Sequence, residues 1–183
     1  MMPQALQKKS VKILEYEERE VLSMFKIGYK VAYPMHGAGI IEGVENKRIL
    51  GEEHKYYILK LSMGNVKVMI PTSNIEDIGI RNIVSREEAD RVIRIFTSNP
   101  EDDRDESNWN KRYRDNIERL KLGTLSEVAH VAKSLILRDR KKSLSNAERK
   151  MLNNAKTALI SELVLSKNMS YEEIESLLMK AIS

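Results

Sequence analysis

The sequence predicts an α+β fold, a small and strongly bent β sheet or half-barrel followed by a compact five-helix domain. Three observations carry this reading. Short alternating or apolar runs, broken by glycine, proline and asparagine, fill the stretch from 25 to about 83. After Ser85 the apolar spacing changes from two residues to three and four, the change from strand to helix. The pattern Ser/Thr-x-x-Glu opens four apolar-periodic runs, at Ser85, Thr124, Ser145 and Ser170, and it marks helix starts because cap hydroxyl and carboxylate each satisfy an orphan backbone N–H.

Taken in order, residues 1–23 are polar and highly charged. They read as an N-terminal extension, either disordered or holding one short helix built on Val11, Leu14, Val21 and Leu22. Residues 24–83 form the β module. Lys30-Val-Ala-Tyr33 is a strand stopped by Pro34, and Met35-His-Gly-Ala-Gly39 reads as a glycine-rich turn into a strand at 40–45. Strands at 55–61 and 65–70 flank Ser62-Met-Gly-Asn65, a loop short enough to be a hairpin. In the last strand Val66, Val68 and Ile70 face one way and Lys67 and Met69 the other, and Pro71 closes it.

Residues 84–183 form the helical module, with helices expected at 85–97, 107–121, 124–142, 145–167 and 170–182. The first carries the stripe Ala89, Val92, Ile93 and Phe96 and ends at Thr97-Ser-Asn-Pro100, because proline disfavours helix in the residue before it. The acidic run 101–106 is a solvated connection, and Ser107 is the expected start of the next helix. Val128, Ala129, Ala132, Leu135 and Ile136 line the third, and Met151, Leu152, Ala155, Leu159 and Leu163 the fourth. Connections this short make successive helices antiparallel or sharply crossed neighbours.

Composition bounds the function. A chain of 183 residues holds one ordinary domain or two small ones. It has no cysteine, which removes thiol catalysis, disulfides and zinc–cysteine sites and fits a reducing cytoplasm. No apolar run approaches the roughly 18 residues of a membrane span, and charges interrupt the N-terminus before a signal sequence develops. His36, His54 and His130 stand far apart without an HxH or HExxH arrangement, and no phosphate-binding glycine loop is present. No catalytic constellation, metal site or cofactor site is therefore expected.

Charge is unevenly placed. Between 107 and 156 thirteen Lys and Arg face five Asp and Glu, a net +8 in a chain whose total is +4. Taken alone, this fits a solvated basic face as well as a polyanion partner. Inside the window, Ser107-Asn-Trp-Asn-Lys-Arg-Tyr-Arg114 holds the only tryptophan, with three basic residues in the next five positions. Trp109, Tyr113, Ile117 and Leu120 stand at helical spacing, so they form one core stripe unless Trp109, in the first turn, remains partly exposed.

Two sets of motifs resemble the CarD-type bacterial transcription regulators. The first is Phe25-Lys-Ile-Gly28, Val31-Ala-Tyr-Pro34, His36-Gly-Ala38, Pro71 and Gly79-Ile-Arg81; the second is Asn108-Trp-Asn-Lys-Arg-Tyr113 and Leu144-Ser-Asn-Ala-Glu-Arg-Lys-Met-Leu152. They run in the same order over about 24–167. The resemblance implies a Tudor-like β module that docks on the β subunit of RNA polymerase by pairing an exposed strand. It assigns that contact to Lys47, Arg48 and Val66, Lys67, Val68, Met69 and Ile70. Met69 departs from the family pattern, in which an arginine stands there.

For the helical module the resemblance implies contact with promoter DNA at the upstream edge of the transcription bubble. Trp109 would wedge into a distorted minor groove, and Lys111, Arg112, Arg114, Arg149 and Lys150 would hold phosphates. Promoter choice would come from polymerase placement and DNA deformability, not from base reading. The implied protein is a monomeric, non-enzymatic, cytoplasmic regulator, nucleoid-associated through polymerase, that stabilises the open complex. Two other readings remain: a general DNA-binding protein acting without polymerase, and a pure protein–protein adaptor.

Overall fold

A computed structural model describes residues 25–98 and 108–182. The extension 1–23, with its expected short helix, and the acidic connection 101–106 lie outside the described residues.

Five antiparallel strands form one sheet in the order β4-β3-β2-β1-β5: β1 Lys30–Tyr33, β2 Gly37–Ile49, β3 Glu52–Leu61, β4 Lys67–Pro71 and β5 Arg81–Asn82. The β2–β3 register shifts between Ile41 and Gly43, a bulge that bends the sheet. Beyond the reach of β4, which pairs with 56–60 of β3, the β2–β3 hairpin continues as a two-stranded ribbon. Leu50 and Gly51 turn it, both with positive φ (53° and 90°), as a two-residue primed turn requires.

The run Gly37-Ala-Gly39 is not the expected turn. It is already strand, paired with Tyr33, Ala32 and Val31, and the turn lies at 34–36, where the His36 N–H donates to the Tyr33 carbonyl (3.0 Å). Glycine stands at 37 for two reasons, the first being its positive φ of 106°. Second, a Cβ there would lie 2.8 Å from Ser161 Oγ, in the helix that crosses this strand. Between β4 and β5 a 3-10 turn, Thr72–Asn74, and a four-residue helix, α1 Ile75–Ile78, were not expected from the pattern. Val66 falls one residue before β4, and Pro71 is its last residue.

Five longer helices follow: α2 Arg86–Thr97, α3 Trp109–Leu122, α4 Leu125–Lys141, α5 Asn146–Lys167 and α6 Tyr171–Ala181. The cap of α3 is Asn108, not Ser107; its Oδ1 accepts from the Asn110 N–H (3.1 Å). Of the four expected capping boxes, those of Ser145 with Glu148 and Ser170 with Glu173 close in both directions. At Ser85 and Thr124 only the hydroxyl half forms. At Thr124 the Glu127 carboxylate turns instead to Arg119 (3.6 Å). Lys133, buried on α4, donates to the Ile95 and Ser98 carbonyls, both at 2.7 Å, and so closes the C-terminal end of α2.

Each module has its own apolar core. Val31, Ile41, Tyr57, Leu59 and Ile70 anchor the first, and Phe96, Leu135, Leu159, Leu163 and Ile174 the second. The modules are joined by polar groups that need each other. The Arg81 guanidinium donates to both oxygens of Glu162 (2.6 and 3.0 Å) and to the Gly123 carbonyl (3.1 and 2.7 Å). The Val84 N–H donates to the same carboxylate (3.0 Å), and the Ala38 N–H to Ser161 Oγ (2.8 Å). Glu162 and Ser161 are almost fully buried. Burying a carboxylate is costly unless it is paired and hydrogen-bonded, so these contacts hold α5 against the sheet in one arrangement.

Candidate nucleic-acid interface and docking edge

Trp109 is the first residue of α3. Its position on the inward stripe predicts burial, yet it remains 40% exposed. Three residues of that stripe behave as expected: Leu120 is buried, and Tyr113 and Ile117 pack against the helical core. The Trp109 ring stacks on Tyr113, with centroids 5.3 Å apart and planes 20° from parallel, and its Nε1–H donates to Ser145 Oγ (3.3 Å). One face of the indole is thus backed by protein, and its edge is tied to the first turn of α5.

Below this contact lies Glu148, 6% exposed. One of its oxygens accepts from the Ser145 N–H (3.0 Å) and hydroxyl (2.7 Å), and the other lies 3.7 Å from both Arg112 and Arg138. Burial pushes this carboxyl up, but the Ser145 hydrogen bonds and the Arg138 charge outweigh it, leaving it below the usual glutamate value.

The cations assigned to DNA divide into four that are exposed, on two helices, and one that is turned inward. Lys111 and Arg114 are exposed on the outer face of α3, about 140–200° around the axis from Trp109 at 3.6 residues per turn. Arg149 and Lys150 are exposed near the start of α5, and Arg149 stands 3.9 Å from Asp139. Arg112 differs: its side chain is 16% exposed and paired with Glu148, so it braces the α3–α5 contact. Sequence reasoning identified Ser145 and Glu148 only as a helix cap. Their second role has no signature in the local pattern, because it depends on the start of α3 meeting the start of α5.

On the other module, β4 is an edge strand, with β3 as its one neighbour among the described residues. Ile70 is buried and Val68 packs on the core, so the edge offers their backbone more than their side chains. Val66 is half exposed. Lys67 reaches the bulge residue Glu42 (2.7 Å), which also faces Lys60 (3.4 Å). Lys47 and Arg48 lie on the exposed ribbon, opposite His54 and Glu53, two strands away from β4. The described residues contain no group of three or more His, Cys, Asp or Glu placed to hold a metal, and no helix among them is long and apolar enough to cross a membrane.

A β module with an open edge, joined through the Arg81–Glu162 ion pair to helices that carry a half-exposed tryptophan and several exposed cations, has the make-up of a two-module binding protein. Comparison with known proteins makes this specific. The CarD-like/TRCF RID domain family matches 25–84, and the CarD C-terminal domain family matches 91–179. The chain is 40% identical over 153 residues to a Bacillus subtilis (strain 168) protein named "Putative transcription factor YdeB", covering 84% of this chain and 99% of that one. It also matches the structure "CdnLNt from Myxoccoccus xanthus" at 32% identity, over 34% of this chain and 87% of that one, with a TM-score of 0.30. The chain belongs to the CarD-like family of bacterial transcription factors, and its N-terminal module is the Tudor-like domain of that family.

Proposed function

We propose that this protein binds the β subunit of RNA polymerase through the β4 edge together with Lys47 and Arg48 of the β2–β3 ribbon, and sets Trp109 against the upstream edge of the promoter bubble. A flat side chain placed where bases are partly unstacked opposes their reannealing. Lys111, Arg114, Arg149 and Lys150 add affinity for phosphates without reading sequence. The protein acts as a monomer in the cytoplasm, reaching the nucleoid through polymerase, and the result is a longer-lived open complex.

The observation that carries this reading is the exposure of Trp109 on a packed Tyr113 support. An aromatic of this size at 40% exposure, backed on one face and held at its edge, is prepared to insert into something. The open β4 edge favours polymerase delivery over the alternative, a general DNA-binding protein acting alone.

The test is open-complex lifetime with purified bacterial RNA polymerase, for wild type and Trp109→Ala. The lifetime should fall severalfold while polymerase binding is unchanged. An unaltered lifetime would exclude the wedge. Strong, salt-sensitive affinity for duplex DNA without polymerase would favour the alternative.

A further inference from the structure

The hydrogen-bonding capacity of the Ser145 hydroxyl is fully used. It has one proton to donate and two lone pairs to accept with. The proton goes to Glu148 (2.7 Å), one lone pair takes the Glu148 N–H (3.3 Å), and the other takes the indole N–H of Trp109 (3.3 Å). An N-cap serine needs only the bond to the backbone N–H. At Ser170, the other two-way box, the hydroxyl accepts from the Glu173 N–H in the same way (3.2 Å), and none of its bonds reaches an aromatic ring.

We propose that Ser145 is a positioning residue for Trp109, and that the capping box of α5 serves as the seat of the wedge. With its proton committed to the buried Glu148 carboxylate, the hydroxyl must present a lone pair towards the indole. Arg112 and Arg138, each 3.7 Å from the far oxygen of that carboxylate, hold it in place from α3 and α4. The ring is then fixed at two points, its face on Tyr113 and its nitrogen on Ser145. A side chain ordered before binding loses less freedom on insertion, so the seat lowers the cost of placing the wedge. This inference builds on the function proposed above but is separable from it, because Trp109 is the only tryptophan in the chain and its emission reports the seat without polymerase or DNA.

The experiment compares full-length wild type with Ser145→Ala, Ser145→Thr and Ser170→Ala. Ser145→Thr keeps the hydroxyl. Ser170→Ala removes a cap of the same kind far from Trp109 in sequence, and so controls for lost helix stability. In Ser145→Ala the emission should shift to longer wavelength, its anisotropy should fall, and acrylamide should quench it about twofold faster. The other two variants should match wild type. In the polymerase assay Ser145→Ala should shorten the open complex about two- to fivefold, less than Trp109→Ala does, with polymerase binding intact.

Unchanged emission and quenching in Ser145→Ala would overturn the seat, as would equal changes in Ser170→Ala. A changed emission with an unchanged lifetime would overturn its role in placing the wedge. If Trp109→Ala itself left the lifetime unchanged, the proposed function would fail, while the fluorescence comparison would still decide the seat.

Discussion

At the scale of single residues, the helical module depends on a few polar groups that are buried only because each satisfies another. Glu148 is the clearest case. Its folded carboxyl lies below the ordinary value of 4.5 because Ser145 and Arg138 favour the charged form more than burial opposes it. A group depressed in this way contributes stability that is complete above its ordinary value and is lost as pH falls through the folded one. Thermal stability of the wild type should therefore begin to fall as pH drops below about 4.5. Glu148→Gln should be less stable near neutrality, by about 1–3 kcal/mol, and show a shallower acid slope. Melting temperatures across that pH range check both. Arg112 shows the same logic in reverse, since a cation beside Trp109 in sequence turns inward to brace a carboxylate.

At the scale of elements, the β2–β3 hairpin sets its own strain. Leu50 is fully exposed and held at φ 53° at the tip of the ribbon, where a left-handed backbone costs a branched side chain roughly 1–2 kcal/mol. Asparagine followed by glycine is the favoured pair for a primed turn. Leu50→Asn should accordingly stabilise the protein by about 1 kcal/mol, raising its urea midpoint without changing the slope of the transition. The β4 edge behaves differently, because its inward face is spent on the core through Val68 and Ile70. What it has left to offer a partner is mainly backbone.

At the scale of the molecule, the two modules are one body because Arg81, Gly123 and Glu162 cannot be satisfied apart. Pro34 packs beside Gly123, and Gly37 admits Ser161, so several residues of the N-terminal family motif serve the junction instead of the docking edge. Arg81→Met leaves the buried Glu162 carboxylate without its cation and should destabilise the chain by about 3 kcal/mol, read from denaturant unfolding. It leaves β4 and Trp109 untouched, so polymerase binding should persist below the unfolding transition while the effect on open-complex lifetime falls.

Local chemistry alone determined the order of modules, the bounds of β1 and of the long helices to within about two residues, and the inward stripes of those helices. Caps, periodicity and turn residues act over a few positions and leave their mark in the pattern. Motif resemblance singled out Trp109 and the β4 strand as candidate contacts, where periodicity by itself left a core stripe and an ordinary strand. Only the tertiary structure decided that Gly37 is strand and helix contact instead of turn, that Arg112 faces Glu148, and that Ser145 supports Trp109. Each depends on two segments far apart in sequence meeting in space: the start of β2 with α5, and the start of α3 with the start of α5. Such meetings are set by how the cores pack, and no local spacing records them.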